Sequence, residues 1–131
     1  MQDYRKLDVW AKSHELVLET HRGLLASSGR PFPGLSGQML RSAAAIPANI
    51  AEGCGHSTPR EFARFLQIAL ASAYQLHYHL LLAHDLGSLP GPVYARLDAR
   101  AEQVKQMLSA LLRRVRVQPA ALPLLKRGVA P

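Results

Sequence analysis

The chain carries a single cysteine, Cys54, in 131 residues. No intrachain disulfide can form, which excludes the stapled scaffolds of small secreted domains and fits a reducing cytoplasm. Aromatic residues make up only 6% of the sequence, so Leu, Ala, Val and Ile must fill any core. No apolar run approaches the roughly 20 residues needed to cross a bilayer. The polar stretch Met1–Lys6 lacks the apolar centre of a signal peptide, so no membrane partner is expected. Also missing are paired catalytic carboxylates, a nucleophile–base–orienter set, a Gly-rich phosphate loop and a spaced ligand set for metal. The expectation is a protein that is not an enzyme and needs no cofactor.

What the chain does have is apolar content and basic charge. Apolar residues reach 48%, enough for one core in a single domain of this length. The net charge of +7 is unevenly spread. Up to residue 95, eight Lys/Arg face seven Asp/Glu; beyond it, eight Lys/Arg face only Asp98 and Glu102. This asymmetry suggests an anionic partner at one end of the molecule.

Apolar spacing predicts four helices and no strands. The first spans Leu7 to about Ala26, with Asp8 as its N-cap. A cluster of breakers follows over residues 27–34. The second runs from about Leu35 to Gly53 through Pro47, whose missing N–H predicts a kink near Ala43–Pro47 and not a stop. Gly53 and Gly55 are read as its end. Thr58-Pro59-Arg60-Glu61 reads as a capping box with proline at the first helical position. It opens a third helix that reaches Leu86 and stops at Gly87. The fourth follows Pro90-Gly91-Pro92, with Pro92 as its first residue. Its apolar positions Tyr94, Leu97, Ala101, Val104, Leu108, Leu111 and Val115 recur in steps of three and four, with Leu112 widening the seam. The fold expected is an all-α, up-down-up-down four-helix bundle over residues 1–116. Residues 117–131, with Pro119, Pro123, Lys126 and Arg127, are expected to form a mobile basic tail.

Several segments resemble one family. They are Leu7-Asp8-Val9-Trp10, Gly34-Leu35-Ser36 with Gln38–Ala43, the octet Ile46-Pro47-Ala48-Asn49-Ile50-Ala51-Glu52-Gly53, Glu61-Phe62 with Arg64-Phe65-Leu66, and Asp85-Leu86-Gly87. The family is the bacterial four-helix-bundle proteins encoded by intervening sequences in 23S ribosomal RNA genes, also labelled S23 ribosomal proteins. The likeness covers residues 7 to about 115. It implies a bundle that assembles as a homopentameric barrel. It also implies a similarity to the accessory variability protein of diversity-generating retroelements, a basic pentamer that works with nucleic acid. This chain departs from the family's pattern at Tyr74–His79, where acidic or amide residues are common, and at His56, where a basic residue is common.

Candidate sites follow from residue type and spacing. Arg96, Arg100, Lys105, Arg113, Arg114 and Arg116 lie on the fourth helix and form a candidate phosphate-binding strip for RNA or DNA. Only Tyr94 supplies an aromatic ring beside that strip, so sequence-specific single-strand readout is not expected. In the octet, Pro47, Asn49, Glu52 and Gly53 are structural; Asn49 and Glu52 are expected to satisfy backbone groups freed by the proline and by the helix end. Cys54 and His56 fall short of the three or four ligands a zinc site needs. His77 and His84 can share a helix face, whereas His77 and His79 cannot. Glu15/Glu19 and Asp98/Glu102 read as solvated pairs. The function these features suggest is a non-enzymatic, oligomeric nucleic-acid-binding accessory protein. The alternative is a scaffold that binds an acidic protein partner.

Overall fold

A computed structural model describes residues 2–27 and 33–117. The expected tail lies outside these residues apart from Val117, as does most of the loop after the first helix. Four helices form: α1 (Asp8–Ala26), α2 (Leu35–Cys54), α3 (Pro59–Asp85) and α4 (Gly91–Val117), preceded by a 3-10 turn at Tyr4–Lys6. The described residues contain no strand.

Local chemistry sets most helix ends. Thr58 Oγ1 accepts the Glu61 N–H at 3.2 Å, and Pro59 occupies the first turn, where its missing N–H costs nothing. Only this half of the expected capping box is used. The Glu61 carboxylate turns to Arg64 at 3.2 Å instead. At its far end α3 closes in a Schellman turn. Gly87 takes φ +79°, its N–H bonds to His84 O, and Ser88 N–H bonds to Ala83 O.

Two expected signals have different roles. Asp8 is not a cap: Leu7 holds the N-cap position without a side-chain bond, and Asp8 sits in the first turn. There its charge complements the positive end of the helix. Gly53 does not end α2, which runs on to Cys54 and is followed by Gly55 in a right-handed conformation. Gly53 serves close packing. A Cβ placed on it would lie 3.0 Å from Phe62 Cδ1 and 3.0 Å from Phe65 Cβ. The side chain's absence lets α2 and α3 approach where the chain turns back.

Pro47 lies inside α2, buried, and the helix continues past it. Asn49 Nδ2 donates to Ala45 O at 2.8 Å, not to the Ala43 carbonyl, whose usual donor proline cannot supply. Glu52 is exposed.

Each helix packs on its neighbour in sequence, and α4 closes the ring against α1. The pairing is antiparallel: His84 meets Tyr94 while Gln67 meets Arg116. The core joins Leu16, Met39, Ile46, Ile50, Phe62, Leu66, Leu76, Leu80, Leu97 and Leu108, all shielded from solvent. Along α4 the buried positions are Leu97, Ala101, Val104, Leu108, Leu112 and Val115. Leu112, not Leu111, therefore carries the seam. The steps average 3.6 residues, the period of a straight helix facing a core. Three buried hydroxyls are satisfied within their own helices: Ser13 donates to Trp10 O, Thr20 to Leu16 O and Ser42 to Gln38 O. Among the described residues, no helix is long and apolar enough to cross a membrane.

His79 is the polar exception. It is buried on α3 and its Nδ1 has no hydrogen-bond partner. Burial pushes the imidazole below its ordinary range. The folded state thus favours neutral His79, whereas the unfolded chain takes up a proton near pH 6.5. The stability tied to neutral His79 is complete above that pH and is lost as pH falls toward the lowered folded value. Thermal unfolding should show a lower midpoint at pH 5.5 than at pH 7.5, and His79→Leu should shrink that difference. Equal differences in the two proteins would clear His79 of the effect.

Candidate nucleic-acid interface

The antiparallel arrangement divides the six basic candidates of α4. Arg96 and Arg100 face α1. Arg100 Nε approaches Glu19 Oε2 to 2.8 Å and Arg96 Nε lies 4.0 Å from the same oxygen. Glu19 Oε2 is buried, and Arg100 meets it as an ion pair off the hydrogen-bond direction. Glu19 is therefore no solvated residue, and its charge offsets the two arginines.

Lys105 is committed to α3. Its Nζ sits 3.0 Å from His77 Nδ1, 3.3 Å from Glu102 Oε2 and 4.0 Å from the centre of the Tyr74 ring. His77 Nε2 in turn lies 2.6 Å from Asp98 Oδ1. Asp98 and Glu102, expected to be solvated, thus join a network that ties α4 to α3 through His77. With Nε2–H donating to Asp98, Nδ1 is left to accept from Lys105. His84 stacks on Tyr94 with ring centres 4.3 Å apart. His77 and His84 therefore both face α4, while His79 points into the core.

Three candidates remain: Arg113, Arg114 and Arg116, all exposed at the end of α4. Here the fold adds residues that sequence reasoning missed. The start of α3 lies beside the end of α4, so Arg60 and Arg64 join Arg116 around an open groove of about 1000 Å³ floored by Ala63, Ile68 and Val115. Arg116 Nη2 donates to Gln67 Oε1 at 3.2 Å, a neutral partner that leaves its charge uncancelled. Arg113 and Arg116 line a smaller groove of about 380 Å³ with Gln67 and Ser109. Arg114 lines neither groove. Glu61 is the one carboxylate in the larger groove, and it is engaged by Arg64, whose guanidinium also lies over Phe65 at 4.4 Å. Among the described residues, Arg60, Arg64 and Arg116 thus converge near a single carboxylate, with Arg113 on the adjoining groove that shares Arg116 and Gln67. The sequence signal was available: Arg60, Arg64 and Gln67 are spaced to share one face of α3.

Cys54 is buried and His56 stacks on Phe65 with ring centres 4.9 Å apart. No group of three or more His, Cys, Asp or Glu among the described residues could hold a metal ion.

The molecule is an antiparallel four-helix-bundle protein with a cluster of exposed arginines where the start of α3 meets the end of α4. The family model for the 23S rRNA-intervening sequence protein matches residues 5–110, and the chain belongs to that family. It is similar to a protein of the S23 ribosomal protein family from Bacteroides thetaiotaomicron VPI-5482, described as being of unknown function. The two share 25% identity with a TM-score of 0.73, over 80% of this chain and 98% of the other. None of the curated proteins matches the chain.

Proposed function

We propose that this protein is a non-enzymatic accessory protein that binds RNA or DNA through the basic end of the bundle. The observation that carries this reading is the convergence of Arg60, Arg64 and Arg116 about one carboxylate, already engaged by Arg64, with Arg113 on the adjoining groove. Guanidiniums suit phosphate because their planar fork donates two parallel N–H bonds. The positive end of the α3 dipole and the negative end of the α4 dipole meet here and offset each other, so the field comes from the guanidiniums. Arg96 and Arg100 contribute less, since both face the largely buried Glu19 carboxylate, and so does Lys105, which is itself largely buried among Glu102, His77 and Tyr74. Recognition is of the backbone and tolerant of sequence. Assembly as a homopentamer, which the family likeness implies, would repeat this end around a ring and multiply the phosphates met at once. A bend at Pro47 would then shape the wall of the barrel.

Filter binding at two salt concentrations tests the reading. With four phosphates contacted, affinity should fall on the order of 10²-fold between 50 and 200 mM salt. Retention that ignores salt, or none at all, would reject it. The second reading, a scaffold for an acidic protein, is favoured by Ile68, 38% exposed within the arginine-lined groove. Capture from a nuclease-treated lysate separates the two, because a protein partner survives the treatment and a nucleic-acid bridge does not.

A further inference from the structure

One exposed face of α3 runs from the basic end toward the opposite end of the bundle. Arg60, Arg64, Gln67, Ala71, Tyr74 and Tyr78 follow one another in steps of four and three, and all are exposed. The five steps average 3.6 residues, the period of a straight helix, so Tyr78 lies in line with Arg60 and the residues form one continuous strip. From Arg60 to Tyr78 it measures about 27 Å at 1.5 Å per residue. One end is cationic and the other aromatic.

The two tyrosines are 57% and 58% exposed, which is unusual for rings that could be buried. Lys105 lies over the Tyr74 ring at 4.0 Å and covers one of its faces. Among the described residues no cation lies over Tyr78, and the His79 ring beside it is tilted at 50° with centres 6.0 Å apart. Both tyrosines thus offer π-surface to solvent.

We infer that this strip is a binding track for single-stranded nucleic acid, with phosphates held at Arg60 and Arg64 and unpaired bases stacked on Tyr78 and Tyr74. The inference rests on the nucleic-acid reading above and narrows it to one strand form. Paired bases are stacked inside a duplex and cannot reach a tyrosine face, whereas the bases of a single strand can. Charge alone predicts the opposite preference. The counterion-release slope per phosphate is about 0.9 for duplex DNA and about 0.7 for single strands, so a purely electrostatic surface binds duplex more tightly.

The test is fluorescence anisotropy at 0.1 M salt with labelled oligouridylate and oligothymidylate of about a dozen nucleotides, within the range one such site covers. A hairpin duplex carrying the same number of phosphates is the comparison. Both single strands should bind more tightly than the hairpin. Tyr78→Ala should weaken single-strand binding about fivefold or more and leave hairpin binding unchanged, while Tyr78→Phe keeps the wild-type affinity. Tighter hairpin binding, or no loss in Tyr78→Ala, overturns the inference and leaves the electrostatic reading standing. A changed mass in light scattering with unchanged affinity also overturns it, because the tyrosines then serve contacts between copies of the chain. Failure of every probe to bind at any salt removes both readings together.

Discussion

Phe62→Ala should lower the thermal midpoint by roughly 10–20 °C. Phe62 is completely buried at the start of α3 and packs against the backbone of α2 at Gly53. Removing its ring forfeits the transfer energy of a fully buried aromatic side chain and leaves a cavity, a loss of about 3–5 kcal/mol. Domains of this size hold only about 5–15 kcal/mol in total. Gly53→Ala should destabilise by about 1–3 kcal/mol on its own, because its new methyl meets Phe62 Cδ1 and Phe65 Cβ at 3.0 Å. In the double variant the methyl enters space the ring has left. The combined loss should therefore fall short of the sum by about 0.5 kcal/mol or more. Rescue stays partial, since Phe65 Cβ does not move. Additive losses would show that Gly53 is not kept small by Phe62.

Replacing Arg60, Arg64, Arg113 and Arg116 together with Gln should lower nucleic-acid affinity on the order of 10²–10³-fold at 0.1 M salt. The salt slope should flatten by about three, since each phosphate contact contributes about 0.7–0.9. All four side chains are exposed, so the fold should survive, and circular dichroism checks this. The contrasting pair is Arg96→Gln with Arg100→Gln. It removes two formal charges but leaves Glu19 without its cations. Its larger effect should be on stability, with affinity changed only a few-fold. An equal fall in affinity for the two variants would mean that net charge alone governs binding and that the basic end has no special standing.

Helix boundaries were legible in the sequence because their causes are local. Thr58 and Pro59 start α3 through bonds within one turn, and Gly87 ends it by adopting a left-handed φ. The apolar period along α4 was equally legible, with the error at Leu111 and Leu112 coming from reading a seven-residue seam where the true period is 3.6. Gly53 is ambiguous in sequence for a different reason. Glycine signals a helix end or a close approach equally well, and only the position of Phe62 separates the two. The basic strip was half legible. Its residues could be counted, but cancellation of Arg96 and Arg100 by Glu19 depends on which helices become neighbours. Tyr74 and Tyr78 lie outside that strip because they sit on α3, whereas the count of basic residues points to α4.

Residue order by itself determined four rods, the greasy side of each, the punctuation between them and the surplus of positive charge. All of these depend on interactions within a few residues of chain. Tertiary structure alone decided where that surplus survives. Coulomb energy depends on distance in space and is screened within about a Debye length of 10 Å at 0.1 M salt. Antiparallel packing set Glu19 beside Arg100 and Glu102 beside His77, and it set Arg60 and Arg64 beside Arg116 with little to oppose them.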